Sequence, residues 1–221
     1  DTLMGGLIRG WRNEWGQGEF PFLYVQKPSG GGCAFDPGDP QTARADAFAA
    51  LPATVPSDGG SVETHVRIMR HPRTAMVIAS DLGGGVHPVN KSAYADRAAR
   101  VALGFVYQRP LEYYGPLYDS HAVDGRAVRI RFTHVGQGLV FRHGERLQGF
   151  AVAGEDRVFR FADAVIDGAT VVVSSPQVPQ PVAVRYAWAQ NRPWANLFNR
   201  DGLPAVPFRT DDWEVADGSR R

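Results

Sequence analysis

The 221-residue chain has a single cysteine, Cys33. No internal disulfide framework can staple it, and one thiol fits a reducing or an oxidising compartment equally well. Long apolar runs are missing too: nothing approaches the ~20 residues that span a bilayer as a helix. Charge imbalance is absent, since 24 basic against 23 acidic residues leave a formal charge of +1. There is neither the basic stripe of a nucleic-acid footprint nor a charged tail. Metal-site spacing is lacking as well. Six histidines (His65, His71, His87, His121, His134, His143) form no His-Glu-x-x-His pattern, and a lone cysteine makes no Cys-x-x-Cys, so a zinc site is not expected. The first residue is Asp1, without a methionine or a signal segment, which leads us to expect a processed product or a fragment. Core-forming material is plentiful at 43% hydrophobic residues, enough for one large or two small domains.

The first half reads as α/β. Leu3, Leu7, Ile8, Trp11 and Trp15 recur at helical spacing over residues 2–15, with the tryptophans expected to pack. Phe20–Val25 is an apolar run expected of a strand buried on both faces, with Gln26 and Lys27 at its end. A Gly/Pro/Asp-rich stretch follows, holding Cys33, for which a Cys-His pair with His71 or His87 has no supporting local signature. A short helix is expected over 41–51 and another over Val62–Arg70, N-capped by Ser61. Ala75–Ile78 is the second buried strand. A helix over about 91–106 places Tyr94, Ala98, Val101, Ala102 and Phe105 on one face, with Arg97 and Arg100 outward.

From Tyr113 the pattern changes to short strands separated by turn pairs such as Asp124-Gly125 and Asp167-Gly168. Val128, Ile130 and Phe132 alternate with Arg129 and Arg131, so one face of that strand is apolar. Further strands are expected at 139–141, 150–153, 158–161, 170–174 and 183–188, and coil over 191–211. This spacing argues for an antiparallel β-sandwich. The expected division is 1–110 and 111–221.

The stretch Ala75-Met-Val-Ile-Ala-Ser-Asp81-Leu-Gly-Gly-Gly-Val-His87-Pro-Val-Asn-Lys91 carries the candidate chemistry. His87 follows a strand and precedes a helix, at the edge where open α/β folds bind ligands. Glycines let the backbone approach a ligand, and Pro88 restricts His87 itself. Gly83-Gly-Gly85 does not read as a phosphate loop, because the Walker Gly-Lys-Ser/Thr ending is absent.

This stretch resembles the end of the catalytic domain in sialate O-acetylesterase-like proteins, a branch of the SGNH (GDSL-like) hydrolases. The likeness extends to Trp11-Arg-Asn-Glu-Trp-Gly-Gln-Gly-Glu-Phe-Pro-Phe-Leu-Tyr-Val-Gln26, to Pro181-Val-Ala-Val-Arg-Tyr-Ala-Trp188 and to Pro207-Phe-Arg-Thr-Asp211. The resemblance implies the C-terminal part of an SGNH-type three-layer α/β/α hydrolase domain (1–110), followed by an antiparallel β-sandwich accessory domain (111–221). It implies a carbohydrate O-acetylesterase acting on sialic acid or on plant polysaccharides such as xyloglucan or xylan. His87 would be the general base, with no metal or organic cofactor needed; separately, Gln26 is a candidate substrate contact from its place at the end of the first strand. Asp81 would orient His87; a Ser-His dyad without it is equally open, since the positions two and three before His87 are Gly85 and Gly84.

The family's nucleophile segment and oxyanion-hole motifs do not occur in this sequence. Two buried strands are also too few for a covered parallel sheet. The expected partner is therefore an N-terminal half of the same hydrolase, carrying the serine, alongside an acetylated carbohydrate; no nucleic acid and no membrane is expected. Such substrates imply a periplasmic or secreted setting, or a lysosomal one in a eukaryote. The competing reading is a non-catalytic carbohydrate-binding chain using Tyr186, Trp188 and Trp194, although Tyr186 and Trp188 are expected to pack.

Overall fold

The computed structural model describes residues 2–27, 48–82 and 91–214. The first helix, α1 (Thr2–Trp15), leads to β1 (Phe22–Val25), and α2 (Gly60–Ile68) leads to β2 (Thr74–Val77). These strands pair in parallel with Phe22 opposite Thr74 and Val25 opposite Val77. Then α3 (Lys91–Val101) runs into a π-helical turn over 102–106. Ser61 lies inside α2 rather than capping it: the N-cap is Gly59, which offers no side-chain bond.

Arg12 explains how α1 is fixed to the sheet. Its buried guanidinium donates to the Phe20, Pro72 and Arg73 carbonyls, the first two at 2.8 Å, tying the helix to the N-terminal ends of both strands. Each neutral acceptor meeting a charged donor contributes about 1.5–3 kcal/mol. Ile8 is the large side chain that α1 buries; Leu3 (91% exposed), Leu7, Trp11 and Trp15 (60% exposed) face outward. The tryptophans pack only on one another, stacked with centroids 6.2 Å apart, and on Phe22 and Phe20. The apolar stripe is present as expected, but it is turned away from the core. β1 likewise departs from a doubly buried strand, because Val25 is more than half exposed and no strand among the described residues pairs with its outer edge. β2 is buried throughout, and its Met76 N–H donates to the Tyr114 hydroxyl at 3.1 Å.

The second half is antiparallel. It comprises β3 (Leu117–Asp124), β4 (Ala127–Thr133), β5 (Leu139–Phe141), β6 (Phe150–Ala153), β7 (Arg160–Phe161), β8 (Asp163–Asp167), β9 (Thr170–Ser174), β10 (Ala183–Tyr186), β11 (Leu197–Asn199) and β12 (Phe208–Arg209). One sheet runs β3-β4-β9-β8, a second β12-β10-β6-β7, and β11 pairs with β5. The two four-stranded sheets enclose one core: Val128, Ile130, Val171 and Val173 from the first meet Phe150, Val152, Val184 and Tyr186 from the second. Alternation in β4 placed Val128, Ile130 and Phe132 inward, as the sequence pattern requires. The stretch expected as coil, 191–211, instead contributes β11 and β12, each too short to show a period.

The halves interlock. Val206 and Tyr114 belong to the core around β1 and β2, whereas Leu51 packs on the sandwich core. Gly59 lies so close to the Trp188 indole that a Cβ there would meet Cδ2 at 2.4 Å. Arg209 pairs with Glu63 of α2 at 2.8 Å. No helix among the described residues is long and apolar enough to cross a membrane.

Candidate functional site

The C-terminal ends of β1 and β2 carry a buried polar cluster. The Gln26 backbone N–H donates to the Val77 carbonyl at 2.9 Å, continuing the parallel ladder one step past β1. Its side-chain Oε1 accepts from the Ala79 N–H at 3.1 Å, standing in for the next strand residue. Gln26 is 1% exposed and its Nε2 has no hydrogen-bond partner among the described residues. A buried donor left in that state costs about 1–3 kcal/mol, which makes Nε2 conspicuous at this edge. The anchored amide fixes Ala79, and with it Ser80 and Asp81.

Asp81 is 5% exposed, and the Arg97 guanidinium of α3 grips it from both Nη atoms. The Nη2–Oδ2 bond is 2.7 Å, the Nη1–Oδ1 bond is shorter, and Nη1 also donates to the Ile78 carbonyl at 3.0 Å. Arg97 is therefore a buried clamp, 7% exposed, and not the outward residue that its charge suggested. The physical reason lies in helical spacing: Tyr94, Arg97 and Val101 fall at i, i+3 and i+7, one face, and Asp81 supplies the charge that makes burial tolerable. A bidentate arginine leaves each carboxylate oxygen a further lone pair, so Asp81 retains acceptor capacity.

Two more buried groups face this acid. The Tyr94 hydroxyl, without a hydrogen-bond partner among the described residues, has its pKa pushed up to about 12 by burial and then by the Asp81 charge, with Arg97 opposing. It stays a protonated donor at neutral pH. Arg192, in the turn after β10, is almost wholly buried and feels the charges of Tyr186, Asp81 and Asp58. Burial draws its pKa down to about 10, leaving it cationic at neutral pH. Its Nη1 donates to the Ala189 and Gln190 carbonyls while Nε has no partner. A small cavity is lined by Ser80 and Asp81 together with Tyr186, Arg192 and Ala205 of the sandwich half.

Gln26 and Asp81 are thus brought to one end of the two-stranded sheet. His87 and Cys33 lie outside the described residues. His71 sits at the opposite end of the strands, close against Gly5 of α1. Among the described residues no group of three or more His, Cys, Asp or Glu side chains is placed to hold a metal ion. Tyr186, Trp188 and Trp194 are all buried, so none of them offers an exposed face for sugar stacking. Tyr186 packs on Phe150, and its hydroxyl accepts from the Leu197 N–H at 2.9 Å. Arg97 and Arg192 were missed by sequence reasoning; the helical phase marked the first, and nothing local marked the second.

No protein-family profile matches the chain, and no curated protein matches it. Among solved structures it is similar to the crystal structure of a carbohydrate acetylesterase from Xanthomonas citri, with 33% identity and a TM-score of 0.77. The likeness covers 95% of this chain and 45% of that one, so this chain spans less than half of that enzyme's length. The chain therefore has a carbohydrate-esterase-like fold.

Proposed function

We propose that the chain is the C-terminal part of a carbohydrate O-acetylesterase, with residues 1–110 completing an SGNH-type α/β/α hydrolase layer and 111–221 forming an accessory β-sandwich. The observation that carries the reading is the likeness, over nearly the whole chain, to an enzyme described as a carbohydrate acetylesterase. The serine and oxyanion hole come from a companion N-terminal half. The open outer edge of β1 and the exposed Leu3, Leu7, Trp11 and Trp15 of α1 support such a partner, which would add a parallel strand and cover that face.

In this scheme His87 takes the serine proton as the acetyl carbonyl is attacked, then returns it to the departing sugar oxygen. The companion half's donors hold the oxyanion. Water then hydrolyses the acetyl-serine intermediate with His87 again as base. Asp81, held by Arg97, fixes the start of the His87 segment and retains acceptor capacity for its imidazole. Gln26 Nε2 supplies a donor at the same edge. Acetylated sialic acid, xylan and xyloglucan remain the substrate classes, and a polymeric substrate implies a periplasmic or secreted enzyme.

The test is reconstitution with the companion half, reading fluorophosphonate labelling and acetate release from an acetylated oligosaccharide. The serine label is expected on the companion half. His87→Ala should lower turnover by about 10²–10⁴-fold with an unchanged melting temperature. Wild-type turnover in that variant, or a label on this chain, would overturn the assignment.

A further inference from the structure

A second concave surface lies on the sandwich half and shares no lining residue with the β2 exit. It is an open groove of about 500 Å³ lined by Arg157, Val158, Phe159, Arg185, Trp213 and Glu214, with residues 55–57 completing it. That size lies within the ~300–1,000 Å³ typical of small-molecule sites. Arg157, Trp213, Phe159 and Arg185 of its lining belong to a series of cations and rings that continues behind the groove to Trp188 and Arg209. The Arg157 guanidinium lies 5.3 Å from the Trp213 ring centre, and Trp213 contacts Phe159 at 5.7 Å. Arg185 lies between Phe159 (4.0 Å) and Trp188 (4.3 Å), and Arg209 follows at 5.3 Å from Trp188.

The inner two cations are neutralised. Arg185 holds Asp211 through two bonds of 2.9 and 2.7 Å, and Arg209 holds Glu63 at 2.8 Å. Arg209 also donates to the Trp213 carbonyl at 3.0 Å, fixing the backbone of the outer ring. Arg157 differs: it is exposed, and no carboxylate pairs with it among the described residues. A guanidinium carries five N–H donors in a planar fork, the chemistry that grips a carboxylate in two parallel bonds.

The backbone points the same way. Arg157 has φ 59° and closes the turn from Gly154, to whose carbonyl its N–H donates at 3.0 Å, while Asp156 Oδ1 accepts from the Val158 N–H at 3.1 Å. A left-handed residue after such a turn is ordinarily glycine. Here the position carries an arginine in a conformation that L-residues disfavour, and its side chain lies over Trp213. The turn sets the Arg157 guanidinium over Trp213 at the wall of the groove.

We propose that this groove binds the uronic-acid residue of an acidic polysaccharide. Arg157 takes the carboxylate in a bidentate pair, and the half-exposed Phe159 and Trp213 meet the C–H face of the sugar ring. Glu214 on the same lining repels a second acidic group, so the fitting polymer has a neutral backbone bearing isolated uronic acids. The inference rests on the carbohydrate-polymer reading above, and names the class of polymer to which the chain is held.

The experiment is calorimetric titration of the full chain with a xylo-oligosaccharide bearing one glucuronic acid, against the same oligosaccharide without it. Neither is acetylated. The acidic ligand should bind about tenfold tighter or more, as expected of a charge-assisted pair, and added salt should erase the difference. Arg157→Gly should lose that preference while melting at the same temperature or higher, since glycine relieves the turn; Arg157→Lys should keep part of it. Equal binding of both oligosaccharides, no binding of either, or undiminished preference in Arg157→Gly overturns the proposal. No catalysis is read, so a failure here leaves the esterase reading standing, and loss of the His87 role leaves this site standing.

Discussion

Replacing Arg97 by leucine is the sharpest probe of the β2 exit. The change removes a guanidinium and leaves the Asp81 carboxylate, 5% exposed, without either partner; the Ile78 carbonyl loses a donor as well. Deleting one member of a buried ion pair costs about 3–5 kcal/mol. For a domain of this size each kcal/mol moves the melting temperature by ~2–4 °C, so Arg97→Leu should lower it by roughly 6–20 °C. The control is Arg146→Leu, which breaks an ion pair with Asp163 whose side chains are 68% and 67% exposed. Pairs of that kind contribute about 0–1 kcal/mol, giving a shift below ~4 °C.

The double variant Arg97→Leu/Asp81→Leu separates two explanations. If the loss arises from an orphaned charge, removing that charge restores most of the stability, because apolar replacement of a whole buried pair is often neutral. Were the loss only one of helix packing, the two substitutions would add. Circular dichroism melts at neutral pH read the wild type, Arg97→Leu, Asp81→Leu, the double variant and Arg146→Leu. An Arg97→Leu shift no larger than that of Arg146→Leu would refute the claim that the pair fastens α3 to the sheet.

Two further outcomes follow from the same geometry. His65 has its pKa lowered from 6.5, first by burial and then by the Arg192 and Lys27 charges, with a Ser61 backbone bond opposing. Its neutral form is the one the fold holds, so its contribution is complete above about 6.5 and lost as pH falls through the lowered folded value. His65→Gln should flatten the melting temperature against pH below neutrality; an unchanged slope would assign the acid sensitivity elsewhere. Trp11→Glu on the outward face of α1 should leave the melting temperature of the chain within about 2 °C, as surface substitutions do, yet weaken co-purification with the companion half that we propose. Undiminished capture would remove α1 from that interface.

The elements with a clear period were legible in the sequence. Alternation in 127–133 gave β4 and its buried face, and the apolar stripe of 2–15 gave α1, though not the direction in which it points. A stripe reports that a face is apolar; it does not say which surface covers it, and of this one Ile8 meets the core while Leu3, Leu7, Trp11 and Trp15 stay exposed, with Phe20 and Phe22 covering the tryptophans in part. Short strands escaped for a different reason. β11 and β12 have three and two residues, too few for any period, and owe their strand character to β5 and β10 beside them. At the site the loss is instructive. Charge argued that Arg97 points outward while phase argued inward, and phase prevailed once Asp81, sixteen positions upstream, was available as counter-charge. Arg192 offered no such conflict, only a charged residue between Asn191 and Pro193 in what looked like coil.

The pins at the β2 exit share a design with a consequence for mechanism. Gln26 holds Ala79 through a side-chain amide, Arg97 holds Ile78 and Asp81 from α3, and Arg12 fixes the far ends of the same strands. Each is a long polar side chain bonded to backbone or carboxylate, and each is buried. A hydrophobic contact would supply comparable stability but tolerate sliding, because it has no direction. Hydrogen bonds with fixed angles do not tolerate it. In the esterase that we propose, the segment presenting His87 to a nucleophile on another element needs its flanks fixed to a fraction of an ångström. Polar pins on both Ala79–Asp81 and α3 would provide that where two short strands alone cannot. The Arg97–Asp81 pin also carries about 3–5 kcal/mol of stability, whereas losing the Gln26 bond to Ala79 should disturb position first and folding second, and so show in rate before stability.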